Sequence, residues 1–137
     1  MRRIFAQPWV MVGSDASIRS PNGPLGADHP HPRAYGAFPR FLRLAQDERL
    51  MPLAEAIRRV TGLPAAAFGL RDRGRIAVNA CADLVLFDPV AIRDHATYAH
   101  PHAFSTGVRQ VWVNGGCSYA DGRCTGVRRG RVLDAKS

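Results

Sequence analysis

Trp9-Val10-Met11-Val12-Gly13-Ser14-Asp15 is an apolar run that stops abruptly at a carboxylate. The pattern predicts a short buried strand, about Trp9 to Gly13, whose end projects Asp15 into a pocket mouth, where α/β proteins keep catalytic groups. A strand buried on both faces needs neighbours on both sides. The chain offers no βα unit before this stretch and no other continuous apolar strand until Ala82. Its partners are therefore expected in another polypeptide.

The segments that follow read as support for that stretch. Residues 1 to 8 suit the tail of a helix or a strand lead-in. From Ser14 to Pro32 the chain is rich in Gly, Pro, Asn and Ser, with turn signals at Pro21-Asn22-Gly23-Pro24 and Leu25-Gly26, which predicts a long irregular loop. Loops of that length in compact domains are usually functional or disordered. Pro39 suits the first turn of a helix, and Phe38, Phe41, Leu42 and Ala45 recur at helical spacing through about Glu48. A second helix is expected from Pro52, with Leu53, Ala56, Ile57 and Val60 on one face and Glu55, Arg58 and Arg59 facing outward. Glu55 and Arg59 form a favourable i,i+4 pair there. Gly62 is placed to cap that helix in a left-handed conformation, and Pro64 opens a third, ending at Phe68 before Gly69. The three helices are expected to form one packed layer.

Beyond the basic turn Arg71-Asp72-Arg73-Gly74-Arg75 the period changes from helical to alternating. Ala82 to Phe87 and Val108 to Val113 read as strands, and Asn114-Gly115 joins the second to Gly116-Cys117-Ser118-Tyr119-Ala120. Asn-Gly between two β-like runs is the strongest short hairpin signal, because both residues tolerate positive φ. Asp121-Gly122 marks a further turn, and the basic tail from Gly126 to Ser137 is expected to be loosely ordered. The last third is thus antiparallel β.

Composition narrows the function classes. The 137 residues fit one ordinary domain, and 46% apolar content suffices for a core, which excludes global disorder. The net charge of +8, from 19 basic and 11 acidic residues, would attract an anionic partner. The densest basic groups, Arg71/Arg73/Arg75 and Arg123/Arg128/Arg129/Arg131, lack interleaved aromatics, so no nucleic-acid partner is expected. Cys81, Cys117 and Cys124 are odd in number and show no C-x-x-C spacing; they read as free thiols of a reducing cytosol. No apolar run approaches membrane-spanning length and no leader pattern opens the chain, so a soluble cytoplasmic protein with no membrane partner is expected. His29-Pro30-His31 and His100-Pro101-His102 invite a zinc reading. Both lie in Pro-rich loops far apart in sequence that need not meet, and metal binding through them is not expected.

Gly13-Ser14-Asp15, Gly23-Pro24-Leu25-Gly26 and the run from His31 through Arg40 together form a specific pattern. Glu55 through Ala66, Phe68-Gly69-Leu70, Arg73-Gly74-Arg75-Ile76, Ala82-Asp83-Leu84-Val85 and Val113-Asn114-Gly115 resemble a stretch shared widely among amidohydrolases. In these motifs, almost from end to end, the chain resembles the C-terminal part of N-acyl-D-amino-acid deacylases (D-aminoacylases) of the metal-dependent amidohydrolase superfamily. The resemblance implies a mixed α/β fold: the end of an amidohydrolase TIM barrel in residues 1–70 (last strand, active-site loop, helices), then part of a small antiparallel β domain and the tail in residues 71–137.

It also implies roles. Asp15 matches the aspartate that contacts the metal-bound water and shuttles its proton to the leaving amine, which makes it both a catalytic and a metal-site residue. Arg33 matches the arginine that binds the substrate carboxylate, a task suited to a planar guanidinium fork. The cofactor implied is zinc, which supplies hydroxide at neutral pH, and the substrate an N-acyl-D-amino acid. The family's His-x-His and its other ligands have no match in these residues. One carboxylate cannot hold a catalytic zinc, which wants about three protein ligands, and one strand cannot close an eight-stranded barrel. The chain therefore reads as a fragment of a truncated or split frame, inactive alone, with an N-terminal barrel fragment as its partner. A non-catalytic module is the competing expectation, and a basic nucleic-acid binder the less favoured third. Val78-Asn79-Ala80 departs from the family by lacking the usual Gly-containing turn. Outside the resemblance, Asp15 would be read as a helix or turn cap, and Arg33 as a surface arginine pairing with Asp28 or another acid.

Overall fold

The computed structural model describes residues 2–133. It is a mixed α and β fold in which a helical layer precedes an antiparallel sheet. The helices are α1 (Arg2–Phe5), α2 (Arg33–Asp47), α3 (Leu53–Val60) and α4 (Gly62–Ala67), with one 3-10 turn at Pro24–Gly26. The strands β1 (Leu84–Phe87), β2 (Val108–Val113), β3 (Gly116–Ala120) and β4 (Arg123–Cys124) form a meander in the order β1-β2-β3-β4.

The expected strand over Trp9 to Gly13 is not formed. Residues 10–20 have no regular secondary structure. A strand exists through its ladder, and no described residue pairs with this one: the Val12 N–H reaches only the Arg59 carbonyl, at 3.4 Å. Nor is the stretch buried, since Trp9 stays 67% exposed while Val12 alternates inward against the core. Apolar character without a sheet to join leaves an extended segment draped over α3.

Helix α2 starts at Arg33, earlier than Pro39 suggested, and carries Pro39 in its interior. Proline there removes the N–H that would bond the carbonyl four residues back. That carbonyl belongs to Tyr35, and the Ser105 hydroxyl bonds it instead, at 3.0 Å. The helix ends where Arg49 adopts φ 50°, with Leu50 N–H bonded to the Ala45 carbonyl at 3.0 Å. This is the left-handed stop that glycine normally makes. Gly69 makes it for α4, at φ 73°.

Helix α3 follows Pro52 as expected, but Gly62 does not cap it. Thr61 breaks the helix with φ −134° and ψ −85°, and Gly62 opens α4, where a Cβ would lie 3.2 Å from the Gly74 carbonyl oxygen. A second departure concerns Arg59, which points inward and is 4% exposed. Glu55 follows it, bonding its Nε at 2.8 Å, and its guanidinium also bonds the Phe5 carbonyl. The neighbouring Arg58 bonds the Pro8 carbonyl at 3.1 Å. Two arginines thus moor the N-terminal segment to α3, and the helical period that placed both outward does not see this demand from backbone carbonyls.

The β region follows its sequence signals closely. Asn114 and Gly115 both take positive φ, 46° and 77°, as a tight hairpin requires, and Asp121-Gly122 repeats the device at 51° and 82° to bring in β4. Strand β1 begins at Leu84 rather than Ala82, because the Ala82 carbonyl and Asp83 carboxylate are taken by the N–H groups of Gly115 and Asn114. Trp112 lies opposite Leu84 and Cys117, and Tyr119 opposite Val111 and Cys124, so these residues work as cross-strand pairs. The tail residues 126–133 lack regular structure but pack on the hairpin, with Asn114 Nδ2 donating to the Arg129 carbonyl at 2.6 Å. Residues 134–137 of that tail lie outside the described residues. Asn79, where the family pattern has a glycine turn, supplies the left-handed residue itself at φ 65°.

The core lies between α2, α3 and the segment after β1: Phe41, Leu42, Ala45, Ala56 and Ile92 are buried, with Phe87 and Val108 packed against them. Arg73, 9% exposed, ties the basic turn to the sheet through Asp83 and Asn114. Beside the core an apolar recess of about 490 Å³ opens to solvent between Leu42, Ile57, Val60 and Leu84. Among the described residues no helix is long and apolar enough to cross a membrane.

Candidate functional site

Asp15 leaves the anchored Val12 by way of Gly13 and sits in left-handed backbone at φ 46°. That conformation is uncommon for a residue with a Cβ, and aspartate is among the few that accept it. It turns the carboxylate toward the first residue of α2, and Arg33 meets it, Nη2 to Oδ2, at 2.9 Å. The two residues singled out in the sequence therefore face one another. Together with Ala16, Arg19, Pro30 and His31 they line a cleft of about 100 Å³.

No backbone N–H among the described residues bonds the Asp15 side chain, so it is not serving as a cap. Asp28 pairs with Arg19, leaving Arg33 to Asp15. Asp15 is 86% and Arg33 46% exposed. A pair so open to water contributes about 0–1 kcal/mol to stability, and its members remain available to other groups.

The two His-Pro-His loops, whose separation in sequence left open whether they meet, do meet. His29 Nε2 bonds the Tyr98 carbonyl at 2.6 Å, and His102 Nε2 bonds the Asp28 carbonyl at 2.9 Å. His31 and His102 also engage Tyr98 and Tyr35 by their hydroxyls, at 2.9 and 3.1 Å. Pro30, Pro32 and Pro101 are buried between them. The joint is made of hydrogen bonds and edge-on ring packing, with His31 and Tyr98 centroids 5.0 Å apart. The signal in the sequence was the repeated His-Pro alternation; the tyrosines that complete the joint carried none.

Among the described residues no three His, Cys, Asp or Glu side chains lie together as metal ligands. Asp15 offers one carboxylate and has a cation beside it, so the described residues do not by themselves fit a zinc centre. The thiols do not replace it. Cys81 donates to Asp72 at 2.8 Å, and this bond to a carboxylate, with partial burial, pushes the thiol pKa up and makes it a poor nucleophile at neutral pH. What the cleft provides is a carboxylate able to exchange a proton and a guanidinium able to hold a carboxylate.

Residues 2–119 match the model of a family described as the Amidohydrolase family. The chain is 44% identical over 135 residues to an N-acyl-D-aspartate deacylase and 42% identical over 134 residues to a D-aminoacylase, both from Alcaligenes xylosoxydans xylosoxydans. Each match takes in 97% of this chain and 26% of the relative. A D-aminoacylase crystal structure superposes with a TM-score of 0.87 at 42% identity, covering 97% of this chain and 27% of that one. An N-acyl-D-glutamate deacylase from Bordetella bronchiseptica, complexed with zinc and a phosphonate inhibitor, does so at 0.78 and 41% identity, covering 89% and 24%. The chain thus spans about a quarter of the length of the relatives it matches. With a family model matched over most of its residues and these relatives alongside it, the chain belongs to the amidohydrolase family.

Proposed function

We propose that the chain is the C-terminal portion of a zinc-dependent N-acyl-D-amino-acid deacylase, hydrolysing a linear amide to a carboxylate and a D-amino acid. The observation that carries this is the similarity, at 42 to 44% identity across 97% of the chain, to an N-acyl-D-aspartate deacylase, an N-acyl-D-glutamate deacylase and a D-aminoacylase. In this reading residues 1–70 complete the barrel and 71–137 contribute to the small β domain. Asp15 receives the proton of the attacking water and returns it to the leaving amine. Arg33 holds the substrate carboxylate, which requires it to exchange its contact with Asp15 for the ligand.

The metal ligands come, on this proposal, from polypeptide that the described residues do not include. The apolar recess beside α3 supports that view, because an open apolar surface of this size is ordinarily covered. The absence of a three-ligand group among the described residues favours a second reading for the chain on its own: a non-catalytic module that complements a barrel fragment.

The test is complementation. The chain is mixed with the separately produced remaining part of an N-acyl-D-aspartate deacylase, zinc and N-acetyl-D-aspartate. Turnover in the mixture, absent from either component, is expected. A mixture that associates and loads zinc yet hydrolyses nothing would overturn the proposal in favour of the non-catalytic module.

A further inference from the structure

The backbone N–H of Arg33 donates to Nδ1 of His31 at 3.0 Å, and Nε2 of the same ring meets the Tyr98 hydroxyl at 2.9 Å. Because Nδ1 accepts, the ring proton sits on Nε2 and is donated to Tyr98 Oη. His31 therefore performs at the start of α2 what a capping side chain does, satisfying one of the N–H groups that have no partner within the helix. Pro32, which precedes Arg33, supplies no side-chain cap of its own. The ring is held from its other end by a residue of a different loop. That loop is fixed in turn: its Tyr98 carbonyl is bonded by His29 at 2.6 Å, and its Ser105 hydroxyl bonds the Tyr35 carbonyl in the first turns of α2.

We infer that Tyr98 and His31 are positioning residues for Arg33: the Tyr98 hydroxyl fixes the His31 ring, and the ring fixes the backbone from which the Arg33 guanidinium reaches the Asp15 cleft. The inference rests on the reading of Arg33 as a carboxylate-binding residue and adds to it the device that aims the side chain. An exposed arginine otherwise has several rotatable bonds to arrange, and freezing its root reduces the entropy lost on binding. His31 lines the cleft, but neither its ring nor the Tyr98 hydroxyl hydrogen-bonds the Arg33 guanidinium or the Asp15 carboxylate; each acts through the Arg33 backbone.

The test uses the full chain labelled with ¹⁵N and acetate as the probe, reading the Arg33 amide and its Nε–H by NMR. Tyr98→Phe keeps the ring that packs against His31 and removes only the hydroxyl. It is expected to move the Arg33 amide proton upfield and to weaken acetate binding by about fivefold, the equivalent of one ordinary hydrogen bond. His31→Asn, whose side-chain oxygen can take the place of Nδ1, is expected to keep the amide shift, whereas His31→Ala loses it. In the His31→Asn background Tyr98→Phe then has no further effect. Tyr98→Phe leaving amide and affinity unchanged, or acting equally in both backgrounds, overturns the inference. If the amide responds to Tyr98→Phe but acetate never perturbs the Nε–H of the unsubstituted chain, positioning stands and the carboxylate-binding role of Arg33 falls.

Discussion

The Ser105 hydroxyl takes the place of the helical donor that Pro39 denies to the Tyr35 carbonyl. A proline inside a helix leaves such a carbonyl exposed to loss of its bond, and here a residue of the loop between β1 and β2 makes it good. Ser105→Ala should lower stability by about 1 kcal/mol. In a Pro39→Ala background an N–H is available again, and the same change should cost less than half as much. Chemical denaturation of the four variants in a cycle measures this directly; equal costs in both backgrounds would refute the substitution of one donor for the other.

Arg59 is the buried charge on which the N-terminal segment hangs, bonded to Glu55 and to the Phe5 carbonyl. Removing it deprives the Phe5 carbonyl of this donor and takes from Glu55 one of its two arginine partners, while Arg58 still bonds Glu55. Arg59→Ala should destabilise the chain by about 2 kcal/mol, the range of lost hydrogen bonds to a charged group, and release residues 2–12 to faster amide exchange. Arg58→Ala, on the exposed side of the same helix, should cost about 1 kcal/mol or less. Comparable denaturation midpoints for the two variants would contradict the distinction.

Glu55 accepts from both arginines. Hydrogen bonds from Arg58 and then Arg59 hold its carboxyl pKa down to about 2 from an ordinary 4.5. The folded value is the lower one, so the charged form favours folding above 4.5, and this contribution is lost as pH falls toward about 2. Glu55→Gln should therefore be less stable at neutral pH, with the difference from the parent narrowing below pH 4.5. Urea midpoints recorded across that range decide it; a gap that does not change with pH would contradict it.

Gly107 precedes β2 with φ 89°, and a Cβ there would lie 2.5 Å from the backbone of Ile92. Its carbonyl also receives the Asp88 N–H at 2.8 Å. Gly107→Ala meets backbone that cannot move aside and should cost at least about 2 kcal/mol. Gly126, whose φ is 85° with open space around it, is the control, and Gly126→Ala should cost about 1 kcal/mol. Thermal melts of the two variants should differ accordingly, and identical melts would show that the close approach to Ile92 carries no cost.

The hairpin and its turns were legible in the sequence because Asn114-Gly115 and Asp121-Gly122 encode positive φ locally. The apolar face of α3 was legible for the same reason: period is a local property. The strand at Trp9 was not formed, since a strand depends on neighbours that local pattern cannot supply. Arg59 was misplaced outward because its partners, the Phe5 carbonyl and the closed face of α3, are set by tertiary packing. In the candidate site, Asp15 and Arg33 could be named from motif, while their mutual contact and the Tyr98 and His31 joint behind it depend on two loops meeting. Proline spacing hinted at ordered loops without saying what they touch.

The role of Asp15 is tested most directly in a chimera in which this chain replaces the matching quarter of a D-aminoacylase relative. Zinc content and turnover of an N-acetyl-D-amino acid are then measured for the chimera and for its Asp15→Asn variant. The expected result is a zinc-loaded, active chimera whose kcat falls by about a thousandfold on Asp15→Asn, the range of a lost general acid–base group. An Asp15→Asn chimera that still holds zinc and turns over at the parent rate would contradict the assignment of Asp15 to proton transfer.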